Sequence, residues 1–121
     1  MDPVAGSFSS LADEVDWEEL SLPGETGTGR MFVKKLLYPN PDVEELRREP
    51  GSAIPARTAE ADRLWYVING EMTMNGHRMT KGSSLFVRKG ESYESTGTGP
   101  EGVHYLRIVL IDQKGLEAKL G

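Results

Sequence analysis

The sequence contains no cysteine. The chain therefore has no disulfide framework, no thiolate nucleophile and no cysteine-based zinc or iron–sulfur site. Its longest aliphatic run, Ile108-Val109-Leu110-Ile111, is far too short to cross a membrane. The N-terminus has no basic region followed by an apolar one, so no signal peptide is predicted. A chain without cysteine suits a reducing compartment, and we expect a cytoplasmic protein without a membrane partner.

Basic stripes are also missing. The formal net charge is −5, and no run of Lys and Arg could follow a phosphate backbone, so nucleic acid is not an expected partner. A length of 121 residues suits one compact domain with one core. We expect residues 1–14 to form a flexible tail and residues 15–121 to form a single domain.

Short runs of β-branched and aromatic residues alternate with glycine-rich turns. Such runs are RMFVKKLLY, LWYVI, SLFV and VHYLRIVLI. Asn69-Gly70 and Asn75-Gly76 each predict a hairpin turn, and STGTGPEG predicts a loop. This pattern indicates an all-β antiparallel sandwich or barrel. One segment does not fit this pattern. VEELRREP has helix propensity, and Asp42 could cap the helix. The segment is, however, too short to be stable alone as a helix.

Two glycine-framed motifs suggest a family. The stretch PGSAIPARTAEADRLWYVINGE follows the frame G-x5-H-x-H-x3,4-E-x6-G from Gly51 to Gly70. The stretch GSSLFVRKGESYESTG has the glycines of G-x5-P-x-G-x2-H-x3-N at Gly82 and Gly90. Residues 30–111 therefore resemble the cupin superfamily, and within it the cupin domain of anti-sigma factors and of acetylacetone-cleaving dioxygenases. The resemblance implies an antiparallel jelly-roll barrel with a short N-terminal extension, and a strand at VEELRREP.

The resemblance also shows where this chain departs from the family. The four family ligand positions are occupied by Arg57, Ala59, Arg63 and Tyr93. Arginine is a permanently charged donor with no lone pair, so it repels a metal cation. We therefore predict no metal site and no other cofactor, and we do not carry over metal-dependent dioxygenase chemistry. A shifted metal site is the alternative, with ligands from Glu60, Asp62, Tyr93 or His104.

Side chains alternate across a strand, and this parity sorts the LWYVI segment into two faces. If Arg63 points into the barrel, as the family glutamate does, Trp65 and Val67 point inward too. The opposite face then carries Leu64, Tyr66 and Ile68. Because this second face is also apolar, we predict that a homodimer covers it.

Arg57 and Arg63 predict an anion clamp at the barrel mouth, since two guanidiniums can hold a carboxylate or phosphate. Tyr93 would add a hydroxyl and Trp65 an apolar wall. The alternative is that the arginines turn to solvent or pair with neighbouring acids. Those acids are Glu60, Asp62 and Glu94.

On the last strand, Tyr105 and Arg107 share one face and His104 lies on the other. The sequence does not decide which face lines the cavity. We therefore name Arg107 as a further ligand-binding candidate and His104, with Tyr93, as a catalytic candidate.

These residues predict a small-molecule-binding cupin without the usual metal, holding an organic anion or a polar aromatic ligand. The alternative is a metal-independent isomerase, cyclase, lyase or decarboxylase that uses Tyr, His and Arg for acid–base chemistry. A third reading is a structural or regulatory partner domain. An enzyme needs a proton donor and an acceptor within reach of each other in a pocket, whereas a binder needs only the clamp and an apolar wall.

Overall fold

A computed structural model describes most of the chain, namely residues 3–4, 7–8, 16–21, 26–27 and 29–111. Its regular structure is entirely β. The strands are β1 Pro3–Val4, β2 Ser7–Phe8, β3 Glu18–Leu20, β4 Thr26–Gly27, β5 Met31–Leu37, β6 Asp42–Arg48, β7 Ser52–Thr58, β8 Asp62–Met74, β9 His77–Met79, β10 Ser84–Val87 and β11 Ser92–Leu110. The predicted boundary between tail and domain, at residues 14 and 15, lies outside the described residues.

The described residues include no helix that is long and apolar enough to cross a membrane.

The long strand β11 organises the barrel, because it pairs with three other strands. Its C-terminal half lies between β6 and β8, and its N-terminal half pairs with β7 and with the end of β8. The main path runs β10-β8-β11-β6-β5-β3, with β9 beside β8 and β4 beside β7. Every pairing is antiparallel. The predicted all-β antiparallel architecture is therefore confirmed.

The dissenting segment VEELRREP is a strand, as the family resemblance predicted. β6 lies between β5 and β11, so neighbouring strands supply the backbone hydrogen-bond partners that a helix would have supplied within itself. Burial alternates along β6. Asp42, Glu44, Leu46 and Arg48 are buried, whereas the residues between them are partly or fully exposed. The local helix propensity is therefore overridden by pairing, and β6 carries three charged side chains inward.

The two Asn-Gly signals have different outcomes. Asn75-Gly76 forms the predicted hairpin turn between β8 and β9, and both residues have positive φ, at 50° and 79°. The prediction for Asn69-Gly70 is wrong, because β8 continues through both residues. There the glycine allows a close approach instead: its φ is +77°, and a Cβ at Gly70 would clash with the Gly102 carbonyl oxygen.

The predicted loop STGTGPEG is also wrong, because β11 runs through the whole segment. The strand is irregular there. The pairing with β8 shifts register between Ser95 and Gly97 and again between Thr98 and Val103. Such irregularities bend a strand and increase its twist, so one chain segment can belong to both halves of a curved sheet.

The alternation of side chains along β8 shows which of its residues face the core. Trp65 and Val67 are buried, whereas Tyr66 between them is 43% exposed. The predicted inward and outward faces of this strand are therefore confirmed for these residues. Around Trp65 and Val67 the core is completed by Leu46, Ala59, Met72, Met74, Met79, Val87, Tyr93, Val103 and Tyr105.

The outer face of the same strands carries a row of apolar side chains. Register aligns Phe86, Leu64, Ile108, Val43 and Leu37 across five strands. Phe86 is 51% exposed, and Tyr66 and Leu110 nearby on this face are also exposed. A contiguous apolar row that remains in contact with water is typical of an interaction surface.

We predict that a second copy of the chain covers this apolar row. Burying it removes apolar area from water and stabilises the association by roughly 25 cal/mol per Å². Light scattering after gel filtration should give a dimer mass for the parent protein and a monomer mass for the double variant Tyr66→Glu/Phe86→Glu. The control is Lys81→Glu, a charge change on an exposed turn residue. A monomeric parent at micromolar concentration, or a double variant that remains dimeric, would contradict this prediction.

Candidate active site in the barrel

A small cavity of about 150 Å³ lies inside the barrel. Much of its wall is apolar, with the indole of Trp65 from β8 among the largest contributors. The other apolar lining residues are Leu20, Met31, Leu46 and Ile54. A wall of this kind suits the hydrocarbon part of a small molecule.

Four polar side chains also line this cavity: Arg57, Tyr93, Tyr105 and Arg107. The lining includes two cations, and no acidic side chain of the described residues lines it. Both arginines are fixed by strand pairing, since Arg57 lies opposite Tyr93 and Arg107 lies opposite Trp65. The cavity therefore combines an apolar wall with positive charge and two phenol hydroxyls.

A wider opening of about 530 Å³ adjoins the cavity, lined by Arg57, Thr58, Glu60, Arg63 and Tyr93. Because Arg57 and Tyr93 line both spaces, they stand where the opening meets the cavity. This opening corresponds to the barrel mouth of the sequence prediction.

Arg63 is held at the mouth by hydrogen bonds to uncharged oxygens. It donates to the Tyr93 hydroxyl at 3.0 Å and to the Ala61 carbonyl oxygen at 3.3 Å. Its guanidinium carbon lies 5.2 Å from the centre of the Tyr93 ring. Asp62 instead accepts a hydrogen bond from the Lys89 backbone N–H at 2.8 Å. The alternative of acid pairing is therefore not seen for Arg63, which makes no ion pair with any residue in the described part of the chain.

Arg107 is anchored on its other side by Glu44. The register places Glu44 between Lys35 on β5 and Arg107 on β11. Glu44 accepts a short hydrogen bond from Arg107 and lies 3.2 Å from the Lys35 ammonium. Burial of Glu44 disfavours its charged form, but the two cations outweigh burial and hold the pKa of this carboxyl below its ordinary value.

One nitrogen of the Arg107 guanidinium makes no hydrogen bond to a described residue. Its Nε is buried and has no hydrogen-bond acceptor among the described residues. Burial lowers the pKa of Arg107, but the opposite effect of Glu44 is larger. The pKa is therefore raised, and the side chain is charged at any ordinary pH. A buried donor without an acceptor destabilises the fold by about 1–3 kcal/mol unless a ligand or water accepts its hydrogen bond. Arg107 therefore has a buried donor without an acceptor among the described residues, on a side chain that lines the cavity.

His104 lies on the opposite face of β11. Its Nε2 is 2.9 Å from a Glu45 carboxylate oxygen, and its ring is 5.9 Å from that of Trp17 in an edge-on arrangement. It lines an open groove of about 570 Å³ on the outer surface. This groove is larger than the barrel cavity, and unlike the cavity it is lined by acidic as well as basic side chains, namely Glu49, Glu101, Arg47 and Arg48. The two catalytic candidates, Tyr93 and His104, are therefore not brought together, whereas all five ligand-binding candidates are.

Sequence reasoning missed three functional side chains: Glu44, Arg48 and Tyr105. Tyr105 could have been found, because strand parity already placed it with Arg107. Glu44 and Arg48 lie in the segment with helix propensity, and their i, i+4 spacing puts them on one face of a helix as well as of a strand, so it does not reveal which element they belong to. Their inward direction follows from strand pairing with β5 and β11, which the local sequence does not reveal.

Comparison with solved structures decides the fold. A Thermotoga maritima protein described as a predicted oxalate decarboxylase has a TM-score of 0.71 and 22% identity, and the match covers 87% of this chain and 100% of that chain. An RmlC-like cupin from Shewanella frigidimarina has a TM-score of 0.67 and 15% identity, covering 89% and 95%. The polyketide cyclase RemF from Streptomyces resistomycificus has a TM-score of 0.69 and 17% identity, covering 95% and 94%.

The chain has the cupin fold. The resemblance seen in its glycine-framed motifs is thereby confirmed at the level of structure. No protein-family model matches the sequence, and no curated protein sequence matches it. Identities this low establish the fold alone, so the function of this cupin has to be argued from its own residues.

The residues of this chain do not fit a metal ion at the position of the cupin motif ligands. Arg57, Ala59, Arg63 and Tyr93 offer at most one weak ligand and two positive charges. No group of three or more His, Asp or Glu side chains within the described ranges could hold a metal ion. The shifted site is not assembled either, since Glu60 lines the mouth and His104 lies on the outer face.

We predict that the purified cupin carries far less than one equivalent of any transition metal, because two fixed cations occupy ligand positions. Elemental analysis of protein purified without chelator would test this, with a chelator-treated sample as the control. Stoichiometric zinc, iron, nickel or manganese in the untreated sample would contradict it.

The Glu44–Arg107 pair predicts a pH-dependent stability. The pKa of Glu44 in the folded state lies below the ordinary value of 4.5. The stabilisation of the folded state by the charged Glu44 is therefore complete above pH 4.5. It is lost as the pH falls through the folded-state pKa. Glu44→Gln should lower the free energy of unfolding by about 3 kcal/mol at neutral pH, because Arg107 loses its charged partner.

Urea unfolding of the parent protein and Glu44→Gln at several pH values measures this difference, which should shrink below pH 4.5. The matched control is Glu101→Gln, which changes an exposed glutamate. A difference that stays constant down to acid pH would show that the charge of Glu44 is not what stabilises the barrel.

Proposed function

We propose that this cupin binds a small organic carboxylate in its barrel and does so without a metal ion. The supporting observation is the buried Nε of Arg107, a donor without an acceptor among the described residues, on a side chain that lines the cavity. Buried donors are almost always satisfied in folded proteins. A ligand oxygen that accepts from Arg107 would supply the missing partner.

Electrostatics favour an anion over a neutral ligand. Arg57 and Arg107 line the cavity, and Arg63 stands at its mouth. Near them the described acids are Glu44, which is engaged with Arg107 and Lys35, and Glu60 at the mouth. Among the described residues, the cavity and its mouth are therefore lined by three guanidiniums and one carboxylate, that of Glu60. Fixed guanidiniums suit a carboxylate because they can donate two parallel hydrogen bonds to it.

The volume limits the ligand. A cavity of about 150 Å³ is the size of one that holds a benzene molecule. A carboxylate with a body of about six to eight non-hydrogen atoms is therefore the appropriate class. The Trp65 ring and the aliphatic side chains would contact the hydrocarbon part, while the carboxylate lies toward the arginines.

The enzyme alternative has one supporting observation. The Tyr93 hydroxyl accepts a hydrogen bond from Arg63 at 3.0 Å and lies between mouth and cavity. A phenol beside a cation is a suitable proton donor or acceptor. His104 does not face the cavity, so acid–base chemistry here would rely on tyrosine and arginine rather than on a Tyr–His pair. Tyr93→Phe would separate the two functions, since a binder would keep its ligand and an enzyme would lose turnover.

We predict that Arg57→Ala weakens carboxylate binding by roughly 10- to 150-fold, because a charge-assisted hydrogen bond contributes about 1.5–3 kcal/mol. Thermal shift across a panel of linear carboxylates from two to eight carbons would find the best ligand, and isothermal titration would give its affinity. Arg63→Ala should also weaken binding. It should leave the melting temperature nearly unchanged, because Arg63 makes no ion pair with the described acids.

The matched control is Arg88→Ala, which removes the same charge from an exposed turn. It should leave both affinity and melting temperature close to those of the parent. If no carboxylate raises the melting temperature of the parent, or if Arg57→Ala and Arg88→Ala bind equally well, the proposed function is wrong.

A further inference from the structure

Arg48 is a buried cation with no buried anion beside it. It is 2% exposed, yet no acidic side chain among the described residues pairs with it. It donates instead to neutral oxygens: to the Ser52 hydroxyl and carbonyl, each at 3.0 Å, and to the Ser95 hydroxyl at 2.8 Å. Burial lowers the pKa of Arg48, but a guanidinium stays protonated in proteins.

The Arg48 guanidinium also acts electrostatically on the Tyr105 hydroxyl. Tyr105 is 1% exposed, and it lines the barrel cavity together with Arg57, Tyr93 and Arg107. Burial raises the pKa of Tyr105, although Arg48 and Arg107 oppose this change, so the phenol is protonated at neutral pH.

The chemistry of arginine limits what Arg48 can do for Tyr105. A guanidinium has only donors, so it cannot accept the Tyr105 O–H hydrogen, which remains available. Within the described part of the chain, no oxygen accepts a hydrogen bond from the Tyr105 hydroxyl. The cavity is the space beside Tyr105 in which an acceptor could sit.

We propose that Tyr105, on the cavity wall, donates a hydrogen bond to a second oxygen of the ligand, so that the cavity selects short acids that carry a further carbonyl or carboxylate oxygen. This inference rests on the proposed function and names its substrate class. Arg57 and Arg107 bind the carboxylate, while the Tyr105 hydroxyl donates a hydrogen bond to the second oxygen. A simple alkanoate of equal length would leave the buried hydroxyl without an acceptor, which disfavours it.

Matched acid pairs test the proposal, because each pair differs by one oxo oxygen. Suitable pairs are pyruvate with propanoate, 4-oxopentanoate with pentanoate, and 5-oxohexanoate with hexanoate. Titration calorimetry with the parent protein should show a preference of roughly 3- to 10-fold for the oxo acid in at least one pair. In Tyr105→Phe this preference should disappear, while the simple alkanoate keeps its affinity.

The control variant is Tyr38→Phe, which removes the same hydroxyl from a tyrosine that is 44% exposed. It should keep the parental preference. Should Tyr105→Phe not fold, the same titrations are made with Arg48→Met, which leaves the phenol in place but removes a cation that acts on its hydroxyl and makes it a better donor. That variant should lose most of the preference.

The outcomes separate the two proposals. If no carboxylate binds the parent, the proposed function fails. If alkanoates and oxo acids bind the parent equally well in every pair, the barrel binds carboxylates but the selection by Tyr105 is wrong. If Tyr105→Phe only lowers the melting temperature and keeps the preference, the hydroxyl serves Arg48 alone and the inference is overturned.

Discussion

The buried carboxylate of Glu44 is the interaction on which the polar side of this barrel depends. Strand register places it between Lys35 and Arg107, so two cations on neighbouring strands share one anion. An uncompensated buried charge costs several kcal/mol, and Glu44 removes most of that cost for Arg107. Three arginines, Arg57, Arg63 and Arg107, line the cavity and its mouth. The anion preference proposed for the cavity rests on their donors.

The frame of the fold and the positions that carry chemistry are set by different residues. Gly51, Gly82 and Gly90 have positive φ in the turns that frame the two motifs, where a side chain would strain the backbone. Trp65 and Val67 fill the core. The family ligand positions at Arg57 and Arg63 instead line the cavity mouth and build neither turns nor core. Their side chains can therefore change from metal ligands to cations while the barrel persists.

Much of the fold could be predicted because its signals are local. The alternation in LWYVI separates buried Trp65 from exposed Tyr66, and Asn75-Gly76 specifies its hairpin. The site was harder, because it depends on contacts between distant strands. Glu44 and Arg107 are 63 residues apart in sequence, and only the pairing of β6 with β11 brings them together. The same pairing turns His104 away from the cavity, a fact that local parity left open.

Metal-binding and anion-binding barrels of this fold place their positive charge differently. The family motif holds a mobile cation with imidazole and carboxylate side chains, so a ligand anion contacts the ion. In this chain the positive charge belongs to Arg57, Arg63 and Arg107, which are fixed to three different strands. Guanidiniums impose direction through their planar donors, whereas an ion accepts many geometries. If the barrel binds a carboxylate as proposed, its selectivity depends on which donors the ligand satisfies, and Arg107 is a lining side chain whose Nε has no acceptor among the described residues.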